Sequence, residues 1–233
     1  MCGRITLLTF EELRDVVSAV EQGAENQLPL IGLDDDALGL RTQARPGSIV
    51  QALAAEASRL SVPSAPSAAK RDHLALGIAD FTWGFPIDDG KKTVFNTRIE
   101  SALAGSRMWA APLRDGRCIL PVASFFEPHS TETSISPRTG KPIKRQYEFC
   151  DESGMPLLLA SVHNGERLSV VTTEPNAIMA PIHPRMPLVL RLEEAATWLG
   201  GDYASLADRS DIALTVQPET PAAPPSAQLS LFA

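Results

Sequence analysis

The residues with the most distinctive chemistry stand at the start of the chain, Met1-Cys2-Gly3-Arg4. The small side chain at position 2 marks Met1 for removal by a methionine aminopeptidase, which leaves a cysteine carrying a free α-amine beside its thiol. The amine titrates at about 7.7–8.0 and the thiol near about 8.5, so both have nucleophilic forms close to neutral pH. Such a 1,2-aminothiol can attack an aldehyde through nitrogen, form an imine and close through sulfur to a five-membered thiazolidine. Its thiolate can instead attack an acyl carbon, with the amine as base. The plain alternative is a cysteine that merely follows the initiator methionine, and the rest of the chain must decide.

Three internal segments add polar groups. Phe95-Asn96-Thr97-Arg98-Ile99-Glu100 is reached from Trp83-Gly84-Phe85-Pro86 through a turn at Asp88-Asp89-Gly90. On a strand, Asn96 and Arg98 share a face. Arg117-Cys118-Ile119-Leu120-Pro121 runs into Ser124-Phe125-Phe126-Glu127. A lone carboxylate ending an apolar strand is desolvated, which raises its pKa and suits it to proton transfer. A salt bridge to a basic neighbour is the mundane role for the same residue. Finally, Val171-Thr172-Thr173-Glu174-Pro175-Asn176 leads to His183-Pro184-Arg185-Met186-Pro187. Two prolines pin a loop that presents an imidazole titrating near neutrality and a guanidinium fork suited to phosphate.

Cys2-Gly3-Arg4, Trp83-Gly84, Asn96-x-Arg98-x-Glu100, the run from Arg117 to Glu127 and the His183-to-Pro187 motif occur in the order found in SRAP proteins. The chain resembles this family, the SOS response-associated peptidases or abasic-site processing proteins, from roughly Cys2 to Trp198. Each motif is weak singly, while the ordered set is specific. The resemblance implies that Cys2 forms a thiazolidine with the ring-opened aldehyde of an abasic site in single-stranded DNA, and that Asn96, Glu127 and His183 surround it. Trp83 would stack on a base, and Arg4, Arg98 and Arg185 would hold backbone phosphates without reading sequence. The same constellation could cleave the Met1–Cys2 bond in cis, which would explain the peptidase label. Two departures stand out: Thr97 lies between Asn96 and Arg98 where the family commonly has alanine, and Pro128 replaces an aromatic residue after Glu127. No cofactor or metal is implied.

Two other classes compete. N-terminal-cysteine glutamine amidotransferases also begin Met-Cys-Gly, but their Arg-Gly-Pro-Asp-Gly-like segment is absent here. A non-catalytic adaptor that binds DNA and a partner is the second. A partner is suggested by the chain end, where Gln228-Leu229-Ser230-Leu231-Phe232-Ala233 looks like the peptide that docks on the bacterial sliding clamp. Gln228 offers a polar anchor, and Leu229, Leu231 and Phe232 offer apolar plugs for a preformed groove.

These groups must be positioned by many short strands. Strands are expected at 73–82, 94–97, 117–126, 146–150, 156–163, 167–173, 187–191 and 211–217. Thr9 and Glu12 form a capping box for a helix with Phe10, Leu13, Val16, Val17 and Val20 on one face. A second short helix covers 192–199 and closes at Gly200-Gly201. Residues 21–41 read as an acidic irregular loop, and 61–69 as a flexible Ser/Ala/Pro loop. The pattern predicts an α+β fold: one domain, residues 2–217, around a strongly bent mixed sheet or barrel, followed by a disordered tether at 218–233.

Composition agrees with a single globular unit. The 233 residues are 44% hydrophobic, without an apolar run long enough for a bilayer or a secretory signal. Three cysteines, Cys2, Cys118 and Cys150, give neither a disulfide framework nor a zinc pattern. A monomeric, cytoplasmic and nucleoid-associated protein is expected. The net charge is −7, yet residues 91–145 carry ten basic side chains against four acidic ones. A locally basic face of this kind is compatible with phosphate binding.

Overall fold

The computed structural model describes residues 2–22, 28, 41–55 and 76–219. Its strands run in chain order as β1 (Arg4–Leu7), β2 (Gln43–Ala44), β3 (Ile49–Ala55), β4 (Leu76–Trp83), β5 (Phe85–Ile87), β6 (Lys92–Val94) and β7 (Asn96–Arg98). They continue as β8 (Arg117–Ile135), β9 (Pro142–Asp151), β10 (Leu157–His163), β11 (Arg167–Thr173), β12 (Met186–Pro187), β13 (Val189–Leu190) and β14 (Leu214–Pro218). One helix of three turns, α1 (Phe10–Gln22), is joined by short helices at Ile99–Leu103, Ala110–Asp115 and Ala195–Leu199. The fold is α+β, as the alternating apolar runs predict.

The strand pairings return on themselves. β8 pairs with β10, β10 with β11, β11 with β4, β4 with β3, and β3 again with β8. A sheet bent this far closes into a barrel and loses its edges there. β11 runs parallel to β4 and β7, whereas the other pairings are antiparallel.

β8 is the spine. Its first part pairs with β10 and β3, and beyond Val122 it leaves the barrel to pair with β1 on one side and β9 on the other. β14 then adds to β9.

Alternation explains how one sheet supports two cores. All seven residues of β10 are buried. Leu157 and Leu159 point into a cluster with Trp83, Phe125 and Phe149, whereas Leu158, Ala160 and Val162 point to another cluster beneath the helices. Cys2 belongs to the first cluster. The capping box at α1 forms as expected: Glu12 accepts from the Thr9 amide at 2.7 Å and Thr9 Oγ1 accepts from the Glu12 amide at 3.3 Å. Leu13, Val16, Ala19 and Val20 are its buried face. Phe10, placed on that face by periodicity, is exposed.

Several expectations need correction. β1 and β3 were not expected as strands, and β8 and β9 extend well beyond the predicted 117–126 and 146–150 to build a long hairpin. The chain also stays in the sheet past residue 217: Pro218 pairs with Tyr147, and the Glu219 amide donates to the Gln146 carbonyl at 3.0 Å. The loop at 61–69 and the terminal peptide Gln228, Leu229, Leu231 and Phe232 lie outside the described residues, as does most of 21–41. No helix among the described residues is long and apolar enough to cross a membrane.

Candidate active site

Cys2 sits just ahead of β1, the strand that β8 pairs at Arg4↔Phe126 and Ile5↔Phe125. It is fully buried, with its thiol pointing to the Arg4 carbonyl at 3.9 Å. Burial pushes the thiol well above its ordinary range, and the neighbouring Glu127 charge adds to the shift. The thiol is therefore protonated at rest.

Asn96 reaches Cys2 from the opposite side of the barrel. β7 pairs in parallel with β11, Asn96 facing Val170, and this aims the amide so that Nδ2 donates to the Cys2 carbonyl at 2.9 Å. Its Oδ1 is buried with no protein partner. One end of the side chain thus holds the peptide backbone of Cys2, and the other is a buried acceptor.

Glu127 lies within β8, not at its end, opposite Tyr147 of β9. It is fully buried. Desolvation pushes its pKa up to about 7, with the positive terminal amine pulling the other way. The sequence signal, a carboxylate after an apolar run, identifies the residue and the direction of its shift.

His183 occupies the loop between β11 and β12. Asn176 organises that loop: its Oδ1 accepts from the Met179 amide at 2.9 Å, and its Nδ2 donates to the Ile212 carbonyl at 2.9 Å. The His183 amide in turn donates to the Met179 carbonyl at 2.9 Å. The β8 bulge between Pro128 and Thr133 holds the loop from below, since the Ser130 amide donates to the Ile182 carbonyl at 2.8 Å. His183 Nδ1 faces the Arg185 backbone, 2.9 Å from its carbonyl and 3.2 Å from its amide. Burial holds the imidazole below its ordinary range, and the charges of the terminal amine and Arg185 act in the same direction. The charge of the terminal amine acts on Cys2, Glu127 and His183 alike. Three segments far apart in sequence therefore converge electrostatically on the chain start.

The four residues expected to contact DNA are placed very differently. Arg98 is exposed at the end of β7. Arg4 and Arg185 are buried and already engaged. Arg185 forks onto Glu100 with both oxygens at 2.9 Å, meets Glu174 at 2.7 Å and donates to the Thr172 carbonyl at 2.9 Å. Arg4 forks onto Glu219 at 2.6 and 2.5 Å and lies 3.8 Å over the Phe126 ring.

Trp83 is a correction. It is fully buried, donates its indole N–H to the Phe95 carbonyl at 3.0 Å and packs edge-on against Phe95. This indole is a core residue closing the barrel, not a platform for a base. The adjacent Gly84 is required by geometry: its φ is +109°, and a Cβ there would lie 2.3 Å from the Thr93 methyl.

Asn176, Glu100, Glu174 and Glu219 were not assigned from sequence. Asn176 lay within a quoted motif and had the side-chain type that organises turns. Glu100 and Glu174 also stood in the motifs read above, without a signal for their shared partner Arg185, and Glu219 offers no local signal because Arg4 is 215 positions away.

The barrel thus gathers a buried cysteine near the chain start, an asparagine on its backbone, a desolvated carboxyl group and a constrained imidazole. The chain matches the family described as SOS response associated peptidase (SRAP) over residues 1–223, and it belongs to that family. Among curated relatives it is similar to the abasic site processing protein YoqW of Bacillus subtilis, 29% identical over 111 residues covering 46% of this chain and 47% of the relative. It is also similar to YoaM of the same organism, 32% identical over 111 residues with the same shares. The chain thus aligns with about half the length of the curated relatives it matches. Two solved structures from Bordetella bronchiseptica share the fold. One is a phage-related protein, with TM-score 0.59, 19% identity and coverage of 93% of both chains. The other has TM-score 0.60 and 18% identity, covering 94% of this chain and all of that one.

Proposed function

We propose that this protein processes abasic sites in single-stranded DNA by forming a covalent thiazolidine through Cys2. The observation that carries the reading is the convergence of Asn96, Glu127 and His183 on the start of the chain. Family membership and the names of the relatives support the substrate class.

Loss of Met1 frees the α-amine of Cys2. The amine adds to the aldehyde carbon of the ring-opened sugar, giving a carbinolamine. Glu127, whose carboxyl burial pushes up to about 7, donates the proton that lets water leave as the imine forms. The thiol then transfers its proton to the resulting carboxylate, and sulfur adds to the imine carbon. The imine nitrogen still carries its own proton, so addition of the thiolate to this iminium carbon closes the ring to a neutral secondary amine and leaves Glu127 protonated again. The neutral His183 imidazole is suited to exchanging a proton with the sugar oxygen during ring opening. Asn96 holds the Cys2 carbonyl and offers Oδ1 to a sugar hydroxyl. An abasic nucleotide, having no base to unstack, is cheap to present to such a site. Because Cys2 is fully buried, the reading requires that Met1 loss and strand entry open it.

The test is incubation with an oligonucleotide carrying one abasic site, followed by heating. Wild type is expected to give a heat-stable adduct, while Cys2→Ser, which keeps the amine but lacks sulfur, gives at most a labile imine. Equal heat-stable adduct from Cys2→Ser without borohydride would exclude the thiazolidine. Intact mass of wild type and Glu127→Gln, expressed together with an aminopeptidase-deficient control, reports whether Met1 leaves by autoproteolysis.

A further part of the proposal is recruitment to a sliding clamp through Gln228, Leu229, Leu231 and Phe232, whose pattern alone supports it. Labelled clamp should bind the full chain and fail to bind a chain ending at Glu219. Equal affinity for the two chains would reject the recruitment and leave the abasic-site reading intact.

A further inference from the structure

Arg4 and Glu219, separated by 215 positions, form a two-pronged ion pair at 2.6 and 2.5 Å. This is the geometry in which a guanidinium also takes two oxygens of a phosphate. Arg4 is held for that purpose independently of Glu219: its guanidinium stacks on Phe126 and donates to Gln43 Oε1 at 3.3 Å. The pair lies in a surface groove lined also by Arg45, Arg138, Ile143 and Gln146. Arg45 and Arg138 are both exposed. Three guanidiniums therefore border this groove, against Glu219 as the acidic side chain among the lining residues. Arg4 is two residues from Cys2, which ties this groove to the chain start.

What closes the groove is weakly held. Glu219 follows the last residue of β14, the outermost strand beyond β9. Among the described residues its attachments besides Arg4 are the hydrogen bond from its amide to the Gln146 carbonyl and the pairing of Pro218 with Tyr147. Ends of outer strands open at far lower free energy than a barrel core.

We propose that the groove bordered by Arg4, Arg45 and Arg138 is a seat for the phosphate backbone of a nucleic-acid strand, and that Glu219 is its resident competitor. In the free protein the carboxylate occupies the phosphate position on Arg4. On binding, a backbone phosphate takes the same fork, and the end of β14 is released. The inference rests on the reading of single-stranded DNA as the substrate and adds a surface and a regulator to it.

The experiment uses the full chain and an undamaged single-stranded oligodeoxynucleotide, so Cys2 chemistry plays no part in the readout. Anisotropy titrations over a range of salt give affinity and its salt slope. Glu219→Gln, which removes the competing charge at constant shape, should tighten binding about three- to tenfold, and Glu219→Asp should stay near wild type. Arg45→Ala and Arg138→Ala should each weaken binding and reduce the salt slope by about one contact. Unchanged or weaker binding by Glu219→Gln overturns the competitor role, and unchanged slopes in both arginine variants overturn the groove.

A second measurement needs no variant. Amide exchange in residues 214–219 of wild type should accelerate when the oligonucleotide is added, and unchanged or slower exchange there counts against displacement. Failure of abasic adduct formation with these binding results intact would remove the covalent chemistry and leave the surface. Adduct formation without them would do the reverse.

Discussion

A carboxyl group buried in an apolar strand ionises only against desolvation, and Glu127 does so near pH 7 instead of at its ordinary 4.5. Between those values the folded chain keeps a proton that the unfolded chain has lost. Stability therefore falls as pH rises through that window, by up to about 3 kcal/mol once the group is fully ionised. Glu127→Gln is expected to remove this slope and to melt higher than wild type above pH 8, measured by thermal unfolding from pH 4 to 9. Parallel curves for the two proteins would mean that Glu127 ionises freely in the fold. His183 and His163 act with the opposite sign. Burial lowers both, so both proteins should lose stability as pH falls through the ordinary histidine range. In the adduct assay, a base with a pKa near 7 should give wild type a rate inflection at that pH.

The loop that carries His183 is a mechanical element as much as a chemical one. Arg185 fastens it to Glu100 and Glu174 across the β7–β11 junction. Arg185→Ala should lower stability by about 1–3 kcal/mol, moderated because both glutamates can regain water. A chemical-denaturation curve matching wild type would show that the ties are ornamental. Gly84→Ala forces a side chain onto positive φ and into Thr93, and should be destabilising by about 2–4 kcal/mol in the same assay.

Much of this element scale was legible in sequence. The Thr9–Glu12 box, β10, β11, the helix ending at Gly200 and the His183-to-Pro187 loop each declare themselves through local pattern. β3 did not, because its Ala-rich run, Ile49–Ala55, lacks the β-branched alternation of a strand and owes its conformation to β4 and β8. Trp83 was misplaced for a related reason: an indole beside glycine is equally suited to a ligand platform and to a barrel plug, and only the sheet that encloses it decides. Asn96, Glu127 and His183 stand out in sequence by type alone, whereas the ion pairs Arg185–Glu100 and Arg4–Glu219 are encoded at separations that no local pattern spans.

At the scale of the whole molecule, an acidic protein of net charge −7 must confine its attraction for a polyanion to one region. On the proposed reading, the exposed guanidiniums of Arg45 and Arg138 in the groove serve that purpose, and Arg98 at the end of β7 is a further exposed cation. The outer strand β14 contributes to stability as well as charge. A chain ending at Gln217 loses Pro218 and Glu219 and leaves Arg4 buried without its carboxylate, and it should melt below a chain ending at Glu219 by about 1–3 kcal/mol of stability. Identical melting of the two truncations would assign the pair no structural weight. A clamp-binding comparison should therefore cut after Glu219, so that loss of the tail is not confounded with loss of the pair.

The tie between the fourth residue and the two hundred and nineteenth also orders events in time. During synthesis Arg4 leaves the ribosome 215 positions ahead of the glutamate it pairs with. β1 lacks its flanking strand for a shorter time, until β8, which begins at Arg117, has been made. Until β8 is made, the Met1–Cys2 bond lies ahead of a strand that lacks its flanking partner, whereas in the folded chain Cys2 is fully buried. If Cys2 acts through a free amine as proposed, an external peptidase has its access before that burial, and excision by the protein's own residues has to follow it.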